Sequence, residues 1–320
     1  MEQWTWISFN ILCVVFTVAL AINLILTFLF KSNAGSQSVA YHYHLDTRCC
    51  TLAGILIPNC ADVLSNLVFA VVGFIGLLCC CIYLPEAHSL AVIEKGAWFC
   101  FFVAFILVSI GSAAYHWSPS NWTLVWDRLP MTICFMALFY LAVKNFAPNV
   151  HASLLGNILL GISSIGVWSS SISFNVWTEL KKDQIENFSN LSYSGNGVKI
   201  NNMGNQDKTG LDRWQVKKLM KDHNIHLKDL ILPYAAIQFY PIVALIYMLC
   251  FWPSDASLSR GYLLPTLALY LIAKIFEKAD EHSEYFFDVI MRKKLSGHTL
   301  KHIAAGVAVL SLVVYITNVQ

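Results

Sequence analysis

Apolar residues dominate this chain in long runs, broken by short polar connections. Eight runs approach or exceed the roughly 20 residues that an α-helix needs to cross a bilayer. They lie at about 7–30, 61–84, 97–117, 124–146, 152–175, 229–252, 260–276 and 299–317. Backbone groups in lipid must be satisfied within their own segment, and no ten-residue alternating pattern argues for a barrel. The predicted fold class is therefore all-α, a polytopic transmembrane helical bundle. Before the first run stands Met1-Glu2-Gln3-Trp4, without the basic residues of a secretory signal, which predicts a retained first transmembrane helix. One long polar stretch, 176–228, is rich in Asn, Ser and Gly between Asn187 and Asn205. It predicts an exposed loop with a short amphipathic helix over 211–220. No internal repeat is evident.

Composition agrees. With 57% hydrophobic and 12% charged residues and a mean hydropathy of +0.58, a water-soluble globular domain is excluded. The net charge of +2 comes from basic residues in short loops and forms no stripe along an element, so nucleic-acid binding is excluded too. Seven of the ten cysteines fall in apolar runs, where cysteine behaves as a small buried hydrophobe. Cys49, Cys50 and Cys60 share a loop; they match no zinc-cysteine spacing and are available for a disulfide if that loop is lumenal.

Polar groups inside apolar runs are costly without partners and mark candidate sites. The third run ends Gly111-Ser112-Ala113-Ala114-Tyr115-His116, with Ser112 and His116 one turn apart on one helical face. A short link leads to Asp127 in Trp126-Asp127-Arg128-Leu129-Pro130-Met131, which makes the two helices antiparallel neighbours. The last run opens with His298 and His302, four residues apart. At the start of the second, Asp62, Ser65 and Asn66 share a face and point into the bundle, for interhelical hydrogen bonds or support of a site. Lys274, with Glu277 or Lys278, sits where long basic side chains snorkel to the interface. The pairs His42/His44 and His223/His226 read as solvated loop residues.

Alternation of the eight runs puts His116, Asp127, His298 and His302 near one membrane face; an error of one span would separate them. Three histidines there suit a catalytic zinc ion, which usually has three protein ligands and a fourth position left to water. Such an ion lowers the pKa of its water to about 7. Asp127 is suited to orient that water and take its proton, and Ser112 to donate a hydrogen bond to a developing oxyanion.

At these residues the chain resembles the alkaline ceramidases. They belong to the seven-span membrane hydrolases, which include the adiponectin and progestin receptors and the lipid-remodelling proteins of GPI anchors. The resemblance rests on Ser112-x3-His116, Asp127 in Asp-Arg-Leu-Pro-Met, His298-x3-His302 and the opening Asp62-Val63-Leu64-Ser65-Asn66. It covers about 59–175 and 229–317. It implies a seven-helix ceramidase-like core over 59–320, interrupted by a loop insertion at 176–228. Residues 1–58 then form an extra N-terminal transmembrane helix and loop. It also implies zinc on His116, His298 and His302, with Asp127 and Ser112 catalytic. The reaction implied is hydrolysis of a ceramide-like lipid to a long-chain base and a fatty acid, in an endoplasmic reticulum or Golgi membrane of a eukaryotic cell. Animal members carry a calcium-binding acidic cluster before the first core helix. Here the stretch from Asp46 to Asp62 has little acidic charge between, which puts calcium dependence in question. The same residues would serve hydrolysis of a phospholipid ester, and a non-hydrolytic receptor with a structural zinc is the reading from another class. For orientation, Lys and Arg in the loops on the site's face favour the cytosol, which is the side expected, since sequons arise by chance in Asn-rich loops. The sequons at Asn121, Asn187 and Asn190 favour the lumen.

Overall fold

The computed structural model describes residues 48–84, 89–119, 121–146, 232–251, 257–282 and 295–318. The predicted helices at 7–30 and 152–175, the loop at 176–228 and the pairs His42/His44 and His223/His226 lie outside the described residues.

A small hairpin comes first, which the apolar pattern did not predict. Strands β1 (Cys50–Leu52) and β2 (Ile55–Ile57) pair antiparallel, with Cys50 opposite Ile57 and Leu52 opposite Ile55. The connecting Ala53 and Gly54 both have positive φ, as a two-residue primed turn demands. A disulfide between Cys50 and Cys60 ties the hairpin to the first helix.

The predicted second span is two helices, α1 (Cys60–Leu64) and α2 (Leu67–Tyr83). They separate at Ser65 and Asn66, whose side chains donate to the Asp62 carbonyl and so compete with the helical ladder. After them come α3 (Ser89–Trp117), α4 (Asn121–Phe146), α5 (Leu232–Phe251), α6 (Ser257–His282) and α7 (Gly297–Asn318). Prolines 130, 241 and 265 lie inside α4, α5 and α6, tolerated in a bundle where neighbours re-satisfy the freed carbonyls.

Four segments among the described residues are long and apolar enough to cross a membrane: Cys60–Tyr83, Glu94–Trp117, Thr123–Ala142 and Gly297–Asn318. The burial pattern is that of a protein solvated by lipid. On α2, Leu67, Val71, Phe74, Leu78 and Ile82 point outward while Phe69, Val72, Gly73, Gly76 and Cys80 are buried. Large apolar side chains stand on both faces, and the small residues take the inner one.

Helix α4 packs on α3, α3 on α2, α2 on α7 and α7 on α6, while α5 leans on α4. A hydrogen bond from Gln238 to Tyr270 closes the ring between α5 and α6. Two glycines set the close approaches. A Cβ at Gly111 would strike the Trp126 carbonyl, and one at Gly297 the Phe276 carbonyl. Backbone therefore meets backbone where α3 crosses α4 and where α7 enters beside α6.

Candidate metal centre

His116 stands in the last turn of α3, and His298 and His302 occupy the first two turns of α7. Their ligand atoms all lie within 4.8 Å of one another, with His116 and His302 buried and His298 half-buried. The Nε2 atoms of His116 and His298 are 3.0 Å apart. A tetrahedral ion with zinc–nitrogen distances of about 2.0–2.1 Å holds its nitrogens roughly 3.3–3.4 Å apart. The pair is thus spaced for one ion.

The surroundings of His302 select its tautomer. Ser65 Oγ lies 3.0 Å from the Asp62 carbonyl oxygen, to which it donates, and 2.7 Å from His302 Nδ1. A hydroxyl has one proton, so His302 Nδ1–H must be the donor in the second bond. Its Nε2 then carries a lone pair, as a metal ligand requires. The Phe69 ring meets the imidazole edge-on, with centroids 5.3 Å apart, and holds its plane.

Around this core lies a polar frame inside the bundle. Asp62 is wholly buried, and its Oδ1 accepts hydrogen bonds of 2.6 Å from both Ser296 and Thr299. Ser296 Oγ also accepts from the Thr299 amide, capping α7. Asp280 Oδ1 accepts from the Gly297 amide at 2.7 Å, satisfying another of the helix's orphan donors. Asn59 Nδ2 donates to the His116 carbonyl at 2.7 Å, closing the end of α3. The hairpin end, α1 and α7 are thereby locked at one level, which fixes the three imidazoles relative to one another. Asp62, Ser65 and Asn66 are thus hydrogen-bonding residues of the frame. Of the frame residues, Asn59, Ser296, Thr299 and Asp280 escaped sequence reasoning; the signal for two of them was the Ser-x-x-Thr spacing immediately at the start of the last run.

Asp127 and Ser112 share a cavity wall with His302. The close crossing at Gly111 brings α3 against the first turns of α4, and Ser112 and Asp127 line the same cavity. Asp127 is 7% exposed, and its Oδ1 has no hydrogen-bond partner among the described residues. Ser112, Asp127 and His302 line one end of a cavity of about 360 Å³. Beyond them the wall is apolar, formed by residues such as Phe69, Phe105, Phe139 and Leu245. From His302 to Leu312 along α7 the cavity follows ten residues, about 15 Å of helix.

Lys274, expected near the interface, lines the cavity. It faces this cavity, bonded to Glu277 at 2.6 Å, and Lys301 reaches the other oxygen of Glu277 at 3.3 Å. Glu277 draws both cations inward, because a carboxylate in a largely buried wall needs opposite charge beside it.

No protein-family profile, curated protein or solved structure matches this chain. What the centre can do follows from its own residues. Three imidazoles are a donor set for a divalent transition metal, and the adjacent carboxylate and hydroxyl can move a proton and hold a negative oxygen.

Proposed function

We propose that this protein is a zinc-dependent hydrolase of lipid amides within the bilayer, acting on ceramide-type sphingolipids as its resemblance to the alkaline ceramidases implies. The observation that carries this reading is the convergence of His116, His298 and His302, together with an apolar cavity that His302 lines alongside Asp127 and Ser112. The donor set fits zinc: three neutral nitrogens, one already in the ligating tautomer, and no further His, Cys, Asp or Glu in the cluster among the described residues. Structural zinc sites are closed by four protein ligands, whereas catalytic ones have three.

When bound, zinc supplies Lewis acidity, making water more acidic and polarising a carbonyl oxygen. The protein's own groups handle the protons. Asp127 Oδ1 is free to accept one from the attacking water. The Ser112 hydroxyl, on the same cavity wall, can donate to the developing oxyanion. The proton held on Asp127 is then available to the leaving amine. Acid–base assistance of this kind contributes about 10²–10⁴-fold. The apolar walls accept an acyl chain and exclude water from the reacting end.

The reading puts this end of the bundle on the lumenal side of an endoplasmic reticulum or Golgi membrane. The Cys50–Cys60 disulfide, beside the His116 carbonyl through Asn59, supports that side, because thiols in the cytosol stay reduced. The sequons agree with it, and the basic loops are outweighed.

Purified full-length protein is expected to release fatty acid from a ceramide. His298→Ala should retain the fold and lose the activity. Undiminished release by that variant would refute the proposal.

A further inference from the structure

Two polar side chains interrupt the apolar wall of the cavity well away from its reactive end. Gln238 on α5 and Tyr270 on α6 both line it, with Gln238 Nε2 lying 2.5 Å from Tyr270 Oη. Their depth follows from the pairing of α6 with α7. Glu277 meets Lys301 beside His302, and Thr266 meets Ser311 toward the other end, so the two helices run antiparallel along the cavity. Tyr270 comes seven residues before Glu277, about 10 Å of helix. Helical side chains lean toward their own N-terminus, which carries the Tyr270 hydroxyl further from the reactive end.

The bond that joins α5 to α6 uses only part of what this pair offers. The Gln238 amide has two N–H donors and a carbonyl acceptor, and the Tyr270 phenol has an O–H donor. One proton is spent between them. Whichever way the amide is turned, a donor and an acceptor are left over, and neither side chain has another hydrogen-bond partner among the described residues. Gln238 is only 6% exposed, yet it lines the cavity. The Tyr270 ring is held by Phe135, edge-on with centroids 5.9 Å apart, and by Lys274 Nζ, 6.0 Å from its centre. Thr266, deeper in the same wall, differs, because its one proton goes to the Tyr262 carbonyl at 2.8 Å.

Unmet donors and acceptors facing hydrocarbon are costly. A single group that satisfies both kinds must donate and accept at once, as a hydroxyl does and a ketone does not. A hydroxyl in the middle of an acyl chain has the same unmet need inside a bilayer, so both partners gain from meeting.

We infer that this cavity prefers an acyl chain with a hydroxyl group near its middle, bound by Gln238 and Tyr270 while the chain's carbonyl lies at the reactive end. This rests on the hydrolase reading and narrows its substrate to amides of fatty acids hydroxylated in mid-chain. Gln238 and Tyr270 are specificity residues that touch the chain and not the reacting atoms.

The test uses zinc-loaded full-length protein in phosphatidylcholine nanodiscs and four N-acyl sphingosines, with stearoyl, 2-hydroxystearoyl, 12-hydroxystearoyl and 12-oxostearoyl chains. Binding and fatty-acid release are both measured. The 12-hydroxy lipid is expected to bind about tenfold or more tightly than the stearoyl lipid, the gain from one or two hydrogen bonds made away from water. A hydroxyl beside the carbonyl is out of reach and a ketone meets donors alone, so the other two lipids should fall short of it. Tyr270→Phe and Gln238→Leu should each reduce the preference at least about threefold, through KM more than kcat. A purely structural role would weaken binding of all four lipids alike, and an unchanged preference in folded variants would overturn the inference. If neither variant folds, the parent's ranking of the four lipids decides. Stearoyl and 12-hydroxystearoyl lipids bound and cleaved equally, or the 2-hydroxy lipid in the lead, would overturn the inference and leave the hydrolase reading intact. A 12-hydroxy preference in binding with no lipid cleaved would support the inference and sink the hydrolase reading. Failure to bind any of the four would overturn the inference.

Discussion

Replacing Gly111 by alanine tests how the two halves of the reactive end are held together. A methyl group there would overlap the carbonyl carbon and oxygen of Trp126, which are backbone atoms and cannot rotate aside. Helices α3 and α4 must part by about 1 Å or more, and overpacking of this kind costs about 1–3 kcal/mol. Ser112 and His116 ride on α3 and Asp127 on α4, so the same displacement opens the gap between hydroxyl and carboxylate. Misplacement by about 1 Å costs on the order of 100-fold in rate. Thermal melts followed by size-exclusion chromatography in detergent, together with initial rates of fatty-acid release, measure both effects. Gly96→Ala is the control. Nothing lies within 4 Å of a Cβ at Gly96, so that variant should match or exceed the parent by up to about 1 kcal/mol. A Gly111→Ala protein that melts with the parent and keeps its full rate would refute the proposed crossing.

Other expectations follow from the frame. Ser65→Ala removes the acceptor of His302 Nδ1–H and should lower zinc affinity about 10- to 100-fold in chelator competition, while Ser65→Thr should restore most of it. Asp62→Asn replaces a charged acceptor of two hydroxyls by a neutral one. It should cost about 1–3 kcal/mol, read as a lower melting temperature with zinc bound. Mass mapping of unreduced protein from cells should recover Cys50 joined to Cys60, with glycan on Asn187 or Asn190. Free thiols at both cysteines and bare sequons would contradict the lumenal orientation.

Much of this site was legible in the sequence because lipid makes polar residues conspicuous. Within apolar runs, Ser112, His116, Asp127 and His302 each needed a reason to be there, and the parity of the spans put them at one level. In the structure His116 and His302 meet His298, beside helices that cross closely at Gly111 and Gly297. What could not be read was the part built from residues in polar connections. Ser296, Asn59 and Asp280 look like ordinary loop or helix-end residues, and only packing shows that they close helix ends around the histidines. The pairing of Lys274 was only partly legible. Its position near a helix end suits snorkelling equally well, and the choice was made by Glu277 one turn later, facing inward. The hairpin escaped because its strands of three residues are too short to show a period.

The central claim, one zinc ion held by three histidines, is tested most directly by elemental analysis of purified full-length protein by mass spectrometry. It predicts one zinc per chain, lost in His116→Ala, His298→Ala and His302→Ala alike while each variant still elutes as a folded protein. Zinc retained at full stoichiometry in the triple variant, or no zinc in a folded parent supplied with it, would contradict the account.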